Sequence, residues 1–376
     1  MKFLHTADWQ IGMRAAHVGA VGLQVREARL HAARRVIEVA EREQAEFIVV
    51  AGDTFEDNAV DRVLVQRVAD ILGSFRGGPV FIISGNHDPL VPGSVWEHPA
   101  WSSHSCLRVL RDATPVTVPG GKLFPAPLHE KHSPADPTAA LDASSESGIA
   151  VGLAHGTVQG VDQGEPDYPI ARNAAERAGL DYLALGHWHS FATYDDAGSG
   201  ARMAYSGTHE TTKFGERDSG NAILVEISAR GAVPRLTPHR TGGLIWRQLE
   251  RDIREAGDLR RVREEIEAFG DADQTLVDVR LSGVLASAEQ QELTRIAELI
   301  AARFLYGRND TARLLPAPDD ESWLANLPAG TVCEAARQLQ VWSDPNFSGP
   351  RPPEATAEVA ARALIELFAL SQEASA

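Results

Sequence analysis

An α/β protein of two packed sheets with a further small α/β domain is what this sequence predicts, and three observations predict it. β-rich runs and helical stretches alternate through the first 190 residues; shorter strands separated by turns follow; and helix–strand–helix signals resume beyond a glycine-containing break near residue 240.

Taken in order, the runs "KFLHTAD", "EFIVVAGD", "PVFIISGNHD", "GIAVGLAHG" and "DYLALGHWH" each end in a turn carrying Gly or Asp, which marks them as buried strands. Apolar residues near 3.6 spacing predict helices over 21–44 and 59–75. After Trp188, "FATYDDAGSGARMAYSG", "NAILVEIS" and "VPRLTPHR" read as short strands of a second sheet packed on the first. "RTGG" at 240–243 reads as a seam, so the first domain is placed at 1–242. Helices at 259–269 and 288–303 around the strand "TLVDVRLSG" predict a small α/β domain over 243–320. The Pro/Asp-rich passages "LPAPDDES" and "WSDPNFSGPRPPE" assign 321–353 to linker. The tail, 354–376, carries a helix with Val359, Ala363, Leu364, Leu367 and Phe368 along one side.

Composition narrows the class. Hydrophobic residues at 43% and charged residues at 23% describe an ordinary globular chain with no apolar stretch long enough for a membrane helix. The start, "MKFLHTAD", reads directly as a strand with no signal region, and two cysteines, Cys106 and Cys333, make no disulfide framework. A reducing cytoplasm is the expected location. The formal charge of −16 argues against indiscriminate nucleic-acid binding. One local basic patch stands against it: Arg14, Arg26, Arg29, Arg34 and Arg35 face a single acid, Glu27.

The chemistry is concentrated at the strand ends. They carry Asp8 and Gln10 in "DWQ", Asp53 in "GDTFED", Asn86, His87 and Asp88 in "GNHD", His155 in "AHG", and His187 and His189 in "GHWH". The carboxyl edge of an α/β sheet is where such folds place their sites. Carboxylate, imidazole and amide donors without thiolates suit Mn²⁺, Fe²⁺ or Mg²⁺. A lone "GD" is more often a turn, and a lone "HxH" is as often an exposed loop. "GNHD" has no packing rationale, and the five motifs together, each after a strand, leave little room for a structural explanation.

In that order and spacing the chain resembles the calcineurin-like metallophosphoesterases over residues 1–240. The wording "LHTADWQIG", the extension past 240 and the apolar tail look like the SbcD-type DNA double-strand-break repair nucleases of that superfamily. The resemblance implies a two-sheet α/β/β/α sandwich core with a small α/β capping domain that binds DNA. It implies one ion held by Asp8, Gln10, Asp53 and His189, and a second held by Asp53, Asn86, His155 and His187. The ions are expected to be Mn²⁺, with Mg²⁺ or Fe²⁺ as alternatives. His87 would serve the leaving oxygen, with Asp88 orienting its other ring nitrogen. The implied activity is 3′→5′ exonuclease and single-strand endonuclease cleavage of DNA. The alternative is an RNA or small-molecule phosphodiesterase on the same core. The implied partners are single-stranded DNA and duplex ends, and an SbcC-like coiled-coil ABC ATPase docked by the tail helix. Homodimer formation stays open.

Two positions depart from the family pattern: Gln10 stands where many relatives have His, and Glu56 where some of these nucleases have a His near substrate. His209, in "YSGTHE", is a weaker candidate for the site. The remaining histidines, and Trp9 and Trp188, read as packing or surface residues.

Overall fold

The computed structural model describes residues 1–160, 167–195, 200–316, 323–324, 327 and 330–374. They form two compact units, residues 1–245 and 246–376.

In the first unit, β1 (Lys2–Thr6), β2 (Phe47–Ala51), β3 (Val80–Ile83) and β4 (Leu107–Val109) are parallel neighbours. Two helices cross between them, α1 (Gly22–Arg42) and α2 (Arg62–Gly73). Asp61 starts α2 by accepting the amide of Val63 at 2.8 Å. The chain then builds β5 (Val116–Val118), β6 (Gly121–Ala126), β7 (Ile149–His155), the short pair β8 (Thr157–Val158) and β9 (Pro169–Ile170), and α3 (Ala174–Arg177). With β10 (Tyr182–Gly186), β11 (Ala192–Tyr194) and β12 (Met203–Tyr205) a second sheet is complete, in the order β11-β12-β10-β7-β6-β5.

β13 (Asn221–Glu226) and β14 (Arg235–Arg240) correct the sequence reading, which puts them in the second sheet. They return to the first, giving β14-β13-β1-β2-β3-β4. The reason is burial on both faces: Ala222, Ile223, Leu224 and Val225 are all buried, which a place between β1 and an outer strand provides. Pro238 sits on the outermost strand, β14, where a missing amide donor is tolerated.

Alternation along the strands creates the layers. Leu4, Ile48, Val50 and Ile82 pack toward Leu30, Val36, Val65 and Val68 of the helices. Phe3, Phe47, Val49 and Phe81 point the other way and meet Leu123, Val151, Leu153 and Tyr182 of the second sheet. The Phe3 and Phe47 rings stack at 4.7 Å, and burying each such side chain stabilises the fold by about 1.5–3 kcal/mol. Leu183 and Leu185, on the far face of the second sheet, lie under Ala174, Ala175 and Ala178. The result is the expected helix–sheet–sheet–helix sandwich.

The second unit is built on β15 (Ile245–Ile253), α4 (Asp258–Glu267), β16 (Thr275–Leu285), α5 (Gln290–Arg303) and β17 (Tyr306–Pro316), with sheet order β15-β16-β17. Leu249, Val262, Ile266, Val277, Val279, Ile296 and Ile300 form its core. The stretch read as linker contains a helix, α6 (Thr331–Ser343), which buries Cys333 and Ala336. Its Pro- and Asp-rich flanks hide a short amphipathic run that begins directly after Gly330. The tail helix, α7 (Ala357–Glu373), packs against α6; Phe368 meets Trp323 at 5.3 Å, and Glu366 pairs with Arg254 at 3.4 Å. Among the described residues no helix is long and apolar enough to cross a membrane.

Candidate metal centre

The carboxyl ends of β1, β2, β3, β7 and β10 converge, and the backbone is distorted to let them. Among the described residues nine non-glycine positions have positive φ, and four are candidate ligands: Asp8 (55°), Gln10 (40°), Asp53 (49°) and His187 (113°). Each costs on the order of 1–3 kcal/mol, a strain that concentrates at functional sites. The loops are laced together by amides. Asp8 N–H donates to the Gly52 carbonyl (3.1 Å), Gln10 N–H to that of Asp53 (2.9 Å), and His187 N–H to the Asp8 carboxylate (3.0 Å). The glycines of two motifs permit this approach. A Cβ at Gly85 would lie 2.1 Å from the Asp53 carboxylate, and one at Gly186 would lie 1.9 Å from the Ala51 carbonyl.

Asp8, Asp53 and His155, all buried, bring ligand atoms within 4.8 Å of one another. Asn86 Oδ1 lies 2.9 Å from His155 Nε2 and 3.2 Å from His187 Nδ1, and Asp53 Oδ2 lies 3.4 Å from His155 Nε2. Gln10 is buried on the loop beside Asp53. Three rings have Nδ1 fixed by an oxygen acceptor: His155 by the Ala51 carbonyl (2.8 Å), His87 by the Glu56 carbonyl (2.9 Å) and His189 by the Glu216 carboxylate (2.7 Å). An acceptor on Nδ1 places a proton there and leaves Nε2 for other partners, which for His155 are Asn86 Oδ1 and the Asp53 carboxylate.

Asp88 is a correction. Its carboxylate does not orient His87; it accepts Gly85 N–H (2.7 Å) and Phe55 N–H (2.9 Å), closing the "GNHD" turn. His87 is held instead by the carbonyl of Glu56, a backbone atom whose role no side-chain motif reports. The ring of His209 is buried, stacked on Trp9 at 4.8 Å, with Nε2 on the Arg29 carbonyl at 2.8 Å.

The basic patch is likewise smaller than its sequence. Arg29 is 1% exposed. Its guanidinium donates to the carbonyls of Asp8, Trp9 and Glu210 and to the hydroxyl of Thr208, so it supports the ligand loop from behind. Arg35 pairs with buried Glu210 at 3.4 Å. Arg14, Arg26 and Arg34 stay exposed. Glu216, absent from the sequence reading, is 4% exposed and is also held by Thr212 N–H at 2.7 Å. Neither Arg29 nor Glu216 follows a motif; only the fold brings them to the site.

The electrostatics follow from burial. Desolvation raises Asp8 to about 6 against the pull of His155 and His189, and raises Asp88 to about 7. For Asp53 burial works upward too, but adjacent His155 and His87 outweigh it and hold the carboxyl at about 2. Burial would lower His155; the Asp53 carboxylate overrides it and lifts the ring to about 9. His187 falls to about 4 through burial and the charge of His155. A protonated His155 thus supplies positive charge among these oxygens. Buried carboxylates, an amide oxygen and free imidazole nitrogens are a donor set that fits a divalent ion of hard to borderline character.

The calcineurin-like phosphoesterase family matches residues 1–191, half of the chain, and the chain belongs to that family. It is a metal-dependent phosphoester hydrolase of phosphodiesterase type. An uncharacterized metallophosphoesterase, YhaO of Bacillus subtilis (strain 168), is 21% identical over 286 residues, 71% of this chain and 67% of its own length. TT1561 of Thermus thermophilus, a solved structure, is similar over 64% of this chain and 98% of its own, at 13% identity and a TM-score of 0.41.

A pH prediction follows. Above pH 6.5 the site groups with raised values, Asp88 (about 7), His155 (about 9) and His189, raised by Glu216 against the effect of burial, bind protons more tightly folded than unfolded. The stability they give is full below the unfolded value and is lost as pH rises through the folded one. The metal-free melting temperature should therefore fall between pH 6.5 and 9. Saturating Mn²⁺ should abolish or reverse that fall, because a ligand imidazole is deprotonated when it binds an ion. Melting curves in chelator and in Mn²⁺ check this; a metal-free curve flat over that range would contradict it.

Proposed function

We propose that this hydrolase is a two-metal DNA nuclease, cutting DNA in the 3′→5′ sense and at single-stranded segments during double-strand-break repair. The observation that carries the hydrolytic reading is the buried cluster of Asp8, Asp53 and His155, whose ligand atoms lie within 4.8 Å of one another. One ion would be held by Asp8, Gln10, Asp53 and His189, the other by Asp53, Asn86, His155 and His187, with Mn²⁺ first among the metals. Bound there, such ions supply Lewis acidity toward phosphoryl oxygens and lower the pKa of water.

The remaining roles belong to the chain. His87 is half-buried, as are His187 and His189, while Asp53, Asn86, Asp88 and His155 are buried, so a substrate can reach its ring. Its Nδ1–H is on the Glu56 carbonyl and its backbone N–H on Asp53 (2.9 Å). The imidazolium form then has its second proton on Nε2, available to the departing oxygen. Asp88 contributes by fixing the turn that carries His87. A polyanionic substrate is supported by the rim: Arg14, close after Gln10, and Lys213 and Arg217, flanking Glu216, are exposed on a chain of net charge −16. The RNA or small-molecule alternative is favoured by the withdrawal of Arg29 and Arg35 into internal contacts.

We also propose that an SbcC-like coiled-coil ATPase docks on the outward side of α7. Val359 and Leu370, 52% and 60% exposed, lie eleven residues apart and so share a face.

Four outcomes are expected. With Mn²⁺, linear duplex and single-stranded DNA should be cleaved faster than RNA or a nitrophenyl phosphodiester; the opposite ranking selects the alternative. Asp53→Ala should lose bound metal and all turnover. His87→Asn should keep its metal by elemental analysis while turnover falls about 10²–10⁴-fold, the usual contribution of a positioned proton donor; loss of metal would make His87 a ligand. Leu370→Glu should leave single-strand cleavage unchanged and abolish co-purification with the ATPase. Unimpaired co-purification would place the docking surface elsewhere.

A further inference from the structure

We propose that Glu216 is a positioning residue that sets the affinity of one ion of the pair, the one bound by His189. The inference rests on the ligand reading of His189 given above. Glu216 is distant in sequence from every motif, yet its carboxylate Oε1 lies 2.7 Å from His189 Nδ1. The carboxylate is 4% exposed; its Oε2 accepts the Thr212 amide, and its Oε1 accepts the Thr212 hydroxyl beside the His189 ring. The carboxylate serves as an acceptor toward the Thr212 N–H, and toward Nδ1 in the same way, so the His189 proton resides on Nδ1 and Nε2 is the ligand atom.

The same segment braces the His189 turn at further points. Thr208 N–H donates to the His189 carbonyl (3.0 Å), Arg217 N–H to the Ser190 hydroxyl (3.0 Å) and Phe191 N–H to the Asp218 carbonyl (3.3 Å). Residues 208–218 therefore clamp both the backbone and the ring of His189. The pinning of the three rings is unequal in kind. His155 and His87 are held by backbone carbonyls, which are neutral. His189 alone of the three is held by a full negative charge, which raises the basicity of its ligand nitrogen. The ion it serves also has Gln10 among its proposed ligands, a neutral and weak donor. The other ion has a neutral amide too, Asn86, so the amides do not separate the two sites, and the charge on Glu216 acts on the His189 ion alone.

The test uses the full chain and Mn²⁺ itself. Wild type, Glu216→Gln and Glu216→Ala are titrated with Mn²⁺, reading free Mn²⁺ by its six-line paramagnetic resonance signal and bound ions by calorimetry. Wild type should bind two ions. Glu216→Ala should weaken one of them about 10–100-fold, the usual cost of losing such a partner, and leave the other within about twofold. Glu216→Gln, which keeps an acceptor but not the charge, should fall between. In a His189→Ala background Glu216→Ala should have no further effect, since the residue acts through that ring.

Unchanged affinities in Glu216→Ala beside a normal wild type overturn the inference while leaving the ligand set standing. Equal weakening of both ions, or a full additional loss in the His189→Ala background, also overturns it and makes Glu216 a structural prop. A wild type that binds no Mn²⁺ removes the ligand set, and this inference with it.

Discussion

The structure turns on one buried carboxylate. Asp53 follows β2 with its side chain 2% exposed, and residues at the ends of β1, β3 and β7 make contact with it. Oδ1 accepts the His87 amide, Oδ2 faces His155, and its backbone carbonyl receives the amide of Gln10. Gly85 has no side chain because Asp53 occupies that space. Removing such a charge from water costs several kcal/mol unless positive charge is brought to it. The two sheets deliver that charge. β2 supplies the acid and β7 the imidazole, and the Asp53 carboxylate lifts the His155 ring to about 9 against the effect of burial.

That constraint explains which parts of the protein are legible in its sequence. A strand buried on both faces must be a continuous apolar run, so "EFIVVAGD" and "PVFIISGNHD" reveal both the element and the residues at its end. Ligands at such ends need glycine beside them for close approach, which is why the motifs read "GD", "GNHD" and "GHWH". What stays hidden depends on partners distant in the chain. Glu216 reaches back 27 residues to His189, and Arg29 spans 181 residues to the Glu210 carbonyl. Arg29 reads as surface charge because it lies among other arginines; only its burial against the ligand loop shows that it turns inward. The role of Asp88 is hidden for a related reason. Adjacent in sequence to His87, it points into the turn, and the atom that holds the imidazole is a carbonyl 31 residues away. The place of β13 beside β1 is equally hidden, since a short apolar strand gives no indication of which sheet it completes.

Charge on this chain is sorted by depth. Near the centre, arginines such as Arg29 and Arg35 satisfy buried carbonyls and Glu210, and so cannot also serve a ligand. At the rim, Arg14, Lys213 and Arg217 remain in water on loops that carry or brace candidate ligands. A net charge of −16 repels polyanions at long range, so the proposed capture of a nucleic acid would rely on these short-range contacts. Binding of that kind is local.

The way the rings are held then separates what is fixed in this centre from what can vary. His155 and His87 take their orientation from the carbonyls of Ala51 and Glu56. A backbone acceptor survives any substitution that preserves the strand or turn, so the geometry at these two rings is as durable as the fold. His189 depends on a side chain instead, carried by a loop that the sheets do not contain. One part of the centre is built into the sandwich and the other is attached to it. A single carboxylate on that outer loop can therefore change how firmly an ion is held without disturbing Asp53 or the sheets that bury it.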